Sequence, residues 1–494
     1  MSGEEHILVA GAGIAGLGVA LALGGSGRRV TILDRDPAPP EMSPEEAFRN
    51  WERRGATQLR HSHAFIGRLN KLLRERHPDL LEELQREGAR LMTYSEILSP
   101  MLRAKYAYEA GDDDLSLLFS RRTTLEYVLR RYAARLPGVS LIADAGVRGL
   151  LTRRGESGAL VAEGLKVERG GKLEDMRADI VIDASGRNTN FPDWLRAEGC
   201  EIRDEESPCG ILYFTRHYRL KDRQEEPPRD GTPGGGDLGY IKFGVFAADN
   251  RHFSITLATP EVESGLRTAV VRPDVFEAIC AALPACARWR DPGRAEPVSP
   301  VYAMGNLQNV WRHFLKDGEP QVLDFFALGD AAVRTNPLYG RGCSSGMVQA
   351  HILRDALDAS GDPAERAKIM ARETWKEIRP YFESMVEQDL QGIRRAGHER
   401  DPDYKPRLKA RLVKSFAEDA LMPASRSDMA VSRAISAAFH MIGHPTAWLK
   451  RPAILWRLLA TWVTPKSVKQ ARGLYLPKLG PERSAMLARL GLPA

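Results

Sequence analysis

The sequence predicts an α/β fold with an interleaved antiparallel sheet and a helical C-terminal region, and three observations predict it. A strand, a glycine turn, a helix and a second strand open the chain in "HILVAGAGIAGLGVALALGGSGRRVTILDRD" over 6–36. Between 210 and 259 three apolar, alternating segments follow one another with no helix between them. From 363 onward the pattern is mostly helical.

The elements follow in order. "HILVAG" (6–11) is a short apolar run stopped by glycine, the mark of a buried strand. "IAGLGVALALGGSG" reads as a small-residue helix with a glycine stop, and "RRVTILDRD" as a second strand ending in acid. Residues 61–90 read as helical, as does 122–138, where Leu125, Val128, Leu129 and Tyr132 share a face. "SLIADAGVRGLL" and the stretch from 158 to Gly186 alternate in period two and read as strands. "GILYFTRHYRL", "GYIKFGVFAA" and "HFSITLATP" make the antiparallel sheet; "QVLDFFALGD" is a buried strand and "CSSGMVQAHILRDALDA" a helix. Local disorder is expected at "PPRDGTPGGGD" (227–237).

With 494 residues and 43% hydrophobic content, the chain is long enough for two or three domains and a sizeable core. Five dispersed cysteines without a C-x-x-C pair argue against a disulfide framework or zinc knuckle and for a reducing cytoplasm. The acidic opening "MSGEEH" is unlike an export signal, and "PAILWRLLATWV" is too short to span a bilayer. The net charge of +6 is uneven: from 430 onward ten Lys/Arg face one acid, Glu482. Trp448, Trp456 and Trp462 stand there among Lys450, Arg451, Arg457 and Lys466. That composition suits contact of 430–494 with a membrane surface, or a docked helix or dimer contact; nucleic acid is not expected.

Chemistry points first to Gly11-x-Gly13-x-x-Gly16. Gly11 permits the tight turn, Gly13 lets a pyrophosphate approach the backbone, and Gly16 lets helix and strand pack closely, while the helix start offers amide donors. Asp34, eighteen residues beyond Gly16, suits a ribose hydroxyl. The dinucleotide is NAD or FAD. A long FAD must be gripped by chain returning from elsewhere, which "FALGDAAVRTNPLYGRG" (326–342) supplies. Asp330 suits a ribitol hydroxyl, and Gly340 and Gly342 let amides approach the ring edge that turns negative on reduction.

On "GAGIAG", "ADIVIDASGR" (178–187) and "LGDAAVRTNPLYGRG" the chain resembles the glutathione-reductase-type flavoproteins, among them the aromatic hydroxylases and flavin epoxidases. "TQLRHSHAF", "DASGRNTNFPDWL" and "ILYFTRHYRL" resemble the polyether-type epoxidases. The resemblance runs from residue 6 to about 355 and implies a Rossmann-like FAD-binding domain (1–80, 120–200, 318–360). It further implies a substrate domain (81–119, 201–317) and leaves 361–494 as a helical C-terminal region. It implies a cofactor shell of Gly11, Gly13, Gly16, Asp34, Arg35, Arg60, Arg122, Val147, Asp183, Gly329, Asp330, Pro337, Gly340 and Gly342. The implied activity is a cytoplasmic monooxygenase that epoxidises or hydroxylates an apolar substrate with O₂ through a flavin C4a-hydroperoxide. The alternatives are a reductase or desaturase of a lipid or isoprenoid, a flavin-dependent halogenase, and a flavin-holding sensor or binding subunit without turnover. Asp183-Ala184-Ser185-Gly186 departs from the Asp-Gly pair usual in the hydroxylases, so NAD(P)H serves as electron source either directly or through a separate flavin reductase.

His61 and His63 are the candidate catalytic pair, weighed against structural hydrogen bonding. They are read as pointing to opposite sides of an extended stretch, so no metal is expected. Arg60 is weighed as a flavin or substrate contact against an ordinary ion pair, and Cys343 as a covalent flavin link against a small buried side chain. Tyr213, Phe214, Tyr218, Tyr240, Phe243, Phe246 and Phe253 are expected to divide between a chamber beside the ring and plain core.

Overall fold

Five parallel strands, apolar and rich in Val and Ile apart from Phe325–Ala327, lie in the order Phe325–Ala327, Ile180–Asp183, His6–Ala10, Arg29–Leu33, Val139–Ile142. The computed structural model describes residues 4–40, 43–155, 158–401 and 403–493. Ala10 pairs with Leu33 on one side and Asp183 on the other, and Asp183 pairs with Ala327. Four strands therefore end level, and the loops carrying Gly11, Asp34, Ala184 and Gly329 leave from one carboxyl edge. In open parallel sheets that edge is where ligands bind.

The sheet is buried on both faces, as such sheets are: Ile7, Val9, Val30 and Ile32 on one face and Leu8 and Val181 on the other have no exposed surface. Helices Ile14–Leu23, Arg122–Ala133 and Gly342–Ala359 pack in the same core. The first and third approach through small residues, since a Cβ on Gly18 would stand 3.0 Å from Met347 Sδ and 3.2 Å from Ala350 Cβ.

The antiparallel segments form a second, six-stranded sheet ordered Gly235–Asp237, Lys242–Ala247, His252–Pro260, Ile211–Leu220, Ala295–Pro297, with Tyr302–Met304 also paired to Ile211–Leu220. One face carries Phe214, Tyr218, Phe253, Ile255 and Leu257 into a core with helix Pro273–Ala282. The architecture is mixed α/β with several sheets.

Two expectations are corrected. The stretch 61–90 is not one helix: 61–66 is non-helical, following a short turn at Thr57–Arg60, and Pro78, lacking an N–H, restarts the chain as Pro78–Arg86 after Gly67–Arg76. Residues 227–237 are placed, not disordered: Gly235–Asp237 adds an edge strand, and Arg288 Nη1 donates to Asp230 and Thr232. After 363 the chain is helical, led by Pro363–His398. No helix among the described residues is long and apolar enough to cross a membrane.

Candidate active site

A cavity of 370 Å³ opens along the carboxyl edge and continues beneath the antiparallel sheet. That lies within the range of small-molecule sites, about 300–1,000 Å³. Gly11, Gly13, Asp34 and Arg35 line it, and so do Asp330, Gly340 and Gly342, far away in sequence. The two glycine turns thus face one space.

The first turn is fixed by sterics. Gly11 has φ +103°, and a Cβ there would stand 2.5 Å from Ala184 O; a Cβ on Gly16 would fall 1.9 Å from Gly11 O. Only glycine fits either place. At Gly13 a Cβ would meet nothing within 4 Å, so its freedom serves the space in front of it. No side chain caps helix Ile14–Leu23, and no acid lies in its first turn, leaving the positive helix end and its amides available.

Asp34 lines the cavity, but Arg53 and Arg130 (2.7 Å) share its Oδ2. Burial pushes its carboxyl up, and the two guanidiniums outweigh that and hold it below the usual range. Arg53 also donates to Ala12 O at 3.2 Å. The sequence reading missed Arg53, which stands in no motif.

The second turn is held by side chains. Asp330 lines the cavity, and its carboxylate has no hydrogen-bond partner among the described residues; burial, opposed by Arg122, raises it. Asn336 Oδ1 accepts from Tyr213 Oη (2.5 Å) and from the Leu338 amide (3.0 Å). Asp389, on helix Pro363–His398, accepts from Asn336 Nδ2 (2.8 Å), Asn309 Nδ2 (2.7 Å) and Tyr339 Oη (2.9 Å). Gly340 has φ +65°, and Gly342 begins helix Gly342–Ala359. Pro337, Gly329 and Val147 also line the cavity.

Arg122 crosses behind this turn, donating to Glu126 Oε1 (2.6 Å), Cys343 Sγ (3.2 Å) and His63 Nε2 (3.2 Å). A guanidinium only donates, so His63 Nε2 accepts and its Nδ1–H donates to His61 O at 2.9 Å. His63 is therefore neutral, and burial, then Arg122, lowers it to about 3. Burial likewise raises the Cys343 thiol. Both His61 and His63 line the cavity, which corrects the opposed orientation read from sequence: residues two apart in an extended chain share a face. His61 Nδ1, Thr215, Thr256, Ser62 and Ser254 form a chain of hydroxyl contacts at 3.1, 2.7, 2.7 and 2.7 Å across the underside of the sheet.

Two expected site residues lie behind the wall instead of on it. Arg60 donates to Phe48 O (3.2 Å) and Trp51 O (3.1 Å), bracing backbone and forming no ion pair among the described residues. Asp183 has no exposed surface, and its carboxylate closes on Ser185 and Thr189; its loop residues Ala184, Ser185 and Gly186 line the cavity. Of the seven aromatics, Tyr213, Phe243 and Phe246 line the cavity, and Phe214, Tyr218, Tyr240 and Phe253 belong to the core. Phe439, from the C-terminal region, completes the apolar wall, a contribution no motif announces.

No protein-family model matches the sequence. Rv3254 of Mycobacterium tuberculosis is 26% identical over 392 residues, 77% of this chain and 79% of that protein. The fold is similar to that of p-nitrophenol 4-monooxygenase PnpA from Pseudomonas putida DLL-E4 (TM-score 0.58, 15% identity, 89% of this chain and 98% of that one). It is similar to the flavin-dependent halogenase CmlS (0.57, 18%, 94% and 78%) and the flavin-dependent brominase Bmp2 (0.55, 16%, 83% and 92%). The chain has a fold found in flavin-dependent enzymes.

Proposed function

We propose that the chain is an FAD-dependent monooxygenase that places one oxygen atom from O₂ on an apolar organic substrate. One observation carries this reading: a single cavity joins a phosphate-type turn, a second glycine turn and an aromatic-walled chamber. The Rossmann-like assignment of the five-stranded sheet, and its kinship with glutathione-reductase-type flavoproteins, belong to the same reading.

The residues fit the cofactor. Gly13 leaves the space a pyrophosphate needs, the uncapped start of helix Ile14–Leu23 offers amides to it, and the unpartnered Asp330 carboxylate suits a sugar-alcohol hydroxyl. Asp34, oriented by Arg53 and Arg130 through Oδ2, accepts only the Asp36 amide (3.2 Å) at Oδ1 among the described residues, which leaves that oxygen a second lone pair for the ribose end. Bound and reduced, FAD supplies the activation of O₂. The chain's own work is to orient and to exclude water. Tyr213, Phe243, Phe246, Met304 and Phe439 give the chamber its apolar surface. Amides at Gly342 and Cys343 offer positive helix-end potential beside the ring position, and Thr215 and Thr256 offer hydroxyls to a substrate polar group. His61 and His63 serve there as neutral hydrogen-bonding groups.

Electrons come from NAD(P)H, directly or through a separate flavin reductase; Asp183 spends both carboxylate oxygens on its own loop and so is not free to take part in a nicotinamide contact. The halogenase folds match about as well as the hydroxylase fold, so halide is the discriminating variable. The test supplies FAD, a flavin reductase, NADH, ¹⁸O₂ and candidate lipids, with and without bromide. Label in the product supports the oxygenase; product that forms only with halide, or without O₂, ends that reading.

A further inference from the structure

Nine of the seventeen large apolar side chains exposed among the described residues fall between 408 and 463, 56 positions in a chain of 494. Six of them stand on two helices. Helix Leu408–Phe416 buries no residue and leaves Leu408, Leu412 and Val413 exposed. Helix Pro452–Val463 buries Ile454 and Leu458 in a core with Ala424, Val431 and Ala434. Its other side shows Trp456 (72% exposed), Leu459 (45%) and Val463 (80%). The spacing i, i+3, i+7 puts these three on one face, opposite the buried pair. This helix is apolar on both faces and has one charged residue, Arg457, a pattern that calls for a cover on each. Trp462 ties the two helices together: its ring meets Phe416 edge-on at 5.4 Å, and Nε1 donates to Ser415 Oγ at 3.1 Å.

The surroundings are basic. Residues 405–472 hold thirteen Lys/Arg and three acids. Asp419 is buried, and Asp428 caps helix Met429–Phe439 and pairs with Arg457. Lys409, Arg411, Lys450 and Arg451 are exposed and have no acidic partner within 4 Å among the described residues.

The geometry points to an anionic lipid bilayer as the partner of this face, with Trp456, Leu459 and Val463 seated at the headgroup boundary and the lysines and arginines of this region on lipid phosphates. Exposed Trp beside Lys/Arg on an apolar stripe is the composition of helices that lie in that boundary, and each nearby cation adds attraction to an anionic leaflet. A second copy would bring like charge to like charge, and nucleic acid would leave the apolar stripe uncovered. The face also adjoins the cavity: Phe439, 46% exposed and in the cavity wall, ends the helix whose Val431 and Ala434 support Ile454 and Leu458. Entry of an apolar substrate by that route rests on the proposed oxygenase reading; the docking does not.

Flotation of the full chain with large vesicles tests it. With phosphatidylcholine vesicles containing one quarter phosphatidylglycerol, the chain is expected to float; with pure phosphatidylcholine, or in high salt, binding falls at least ten-fold. Trp456→Ser with Val463→Ser is expected to weaken binding ten-fold or more, and Lys450→Glu with Arg451→Glu to weaken it similarly without touching the apolar stripe. Circular dichroism on each variant confirms folding. Failure of the wild-type chain to float overturns the proposal. So does a wild-type dimer in sedimentation that Trp456→Ser with Val463→Ser converts to monomer, since that gives the face to a second copy.

Discussion

The two glycine turns that share the cavity are built by opposite means. The turn at Gly11–Gly16 is fixed by backbone against backbone: Gly11 under Ala184 and Gly16 on the Gly11 carbonyl. The turn at Gly329–Gly342 is held from a distance, by Tyr213, Asn309 and Asp389 through Asn336 and Tyr339, and by Arg122 behind Cys343. A turn fixed by local sterics breaks all at once. A turn fixed by a polar network weakens by degrees and responds to pH.

Substitutions separate the two modes. The largest effect is expected at Gly16→Ala, where a methyl would stand 1.9 Å from a carbonyl oxygen; a loss of about 3 kcal/mol or more is expected, read as chemical-denaturation midpoint or failure to accumulate folded chain. Next comes Asp389→Ala, which strands two amides and a hydroxyl that now donate to it. About 2 kcal/mol is expected by the same measurement, with weaker flavin binding because Asn336 loosens.

Acid is expected to act on the second turn before the first. His61 and His63 are held down to about 4 and about 3, against 6.5 when unfolded, with burial as the main cause. The unfolded chain therefore binds more protons between those values, and stability present above pH 6.5 is lost as pH falls toward 4. A thermal midpoint that falls over this window, and falls less in His63→Gln, is the expected result. Thr256→Val, which interrupts the hydroxyl chain between Ser62 and Thr215, is expected to cost least, about 1 kcal/mol.

The same contrast explains what the sequence disclosed. Gly11, Gly13 and Gly16 are legible because the three fall in one local spacing between a strand and a helix, although the backbone that Gly11 clears, at Ala184, is far away in sequence. The apolar runs ending in glycine or acid disclosed the strands themselves, but that four of them end level is set by their pairing. Asp389 was not legible: it lies mid-helix, fifty-three residues from the Asn336 it holds, and a lone acid there has no pattern. Arg53 sits in a charged stretch that reads as surface yet is nearly buried against Asp34. Phe439 reaches the cavity from a region whose composition suggested only helices. The aromatic segments of the antiparallel sheet fixed its presence, but which rings face the cavity depended on a register that pairing alone sets.

The central claim is that one cofactor spans both turns, and equilibrium titration of the chain with FAD, followed by flavin fluorescence, tests it most directly. Gly13→Val adds bulk where nothing lies within 4 Å, so folding should be unchanged and affinity should fall at least a hundred-fold. Asp330→Ala, at the other turn, should weaken binding about ten-fold. A wild-type chain that takes up no FAD, or binds it equally well with Val at 13 and Ala at 330, would contradict the account.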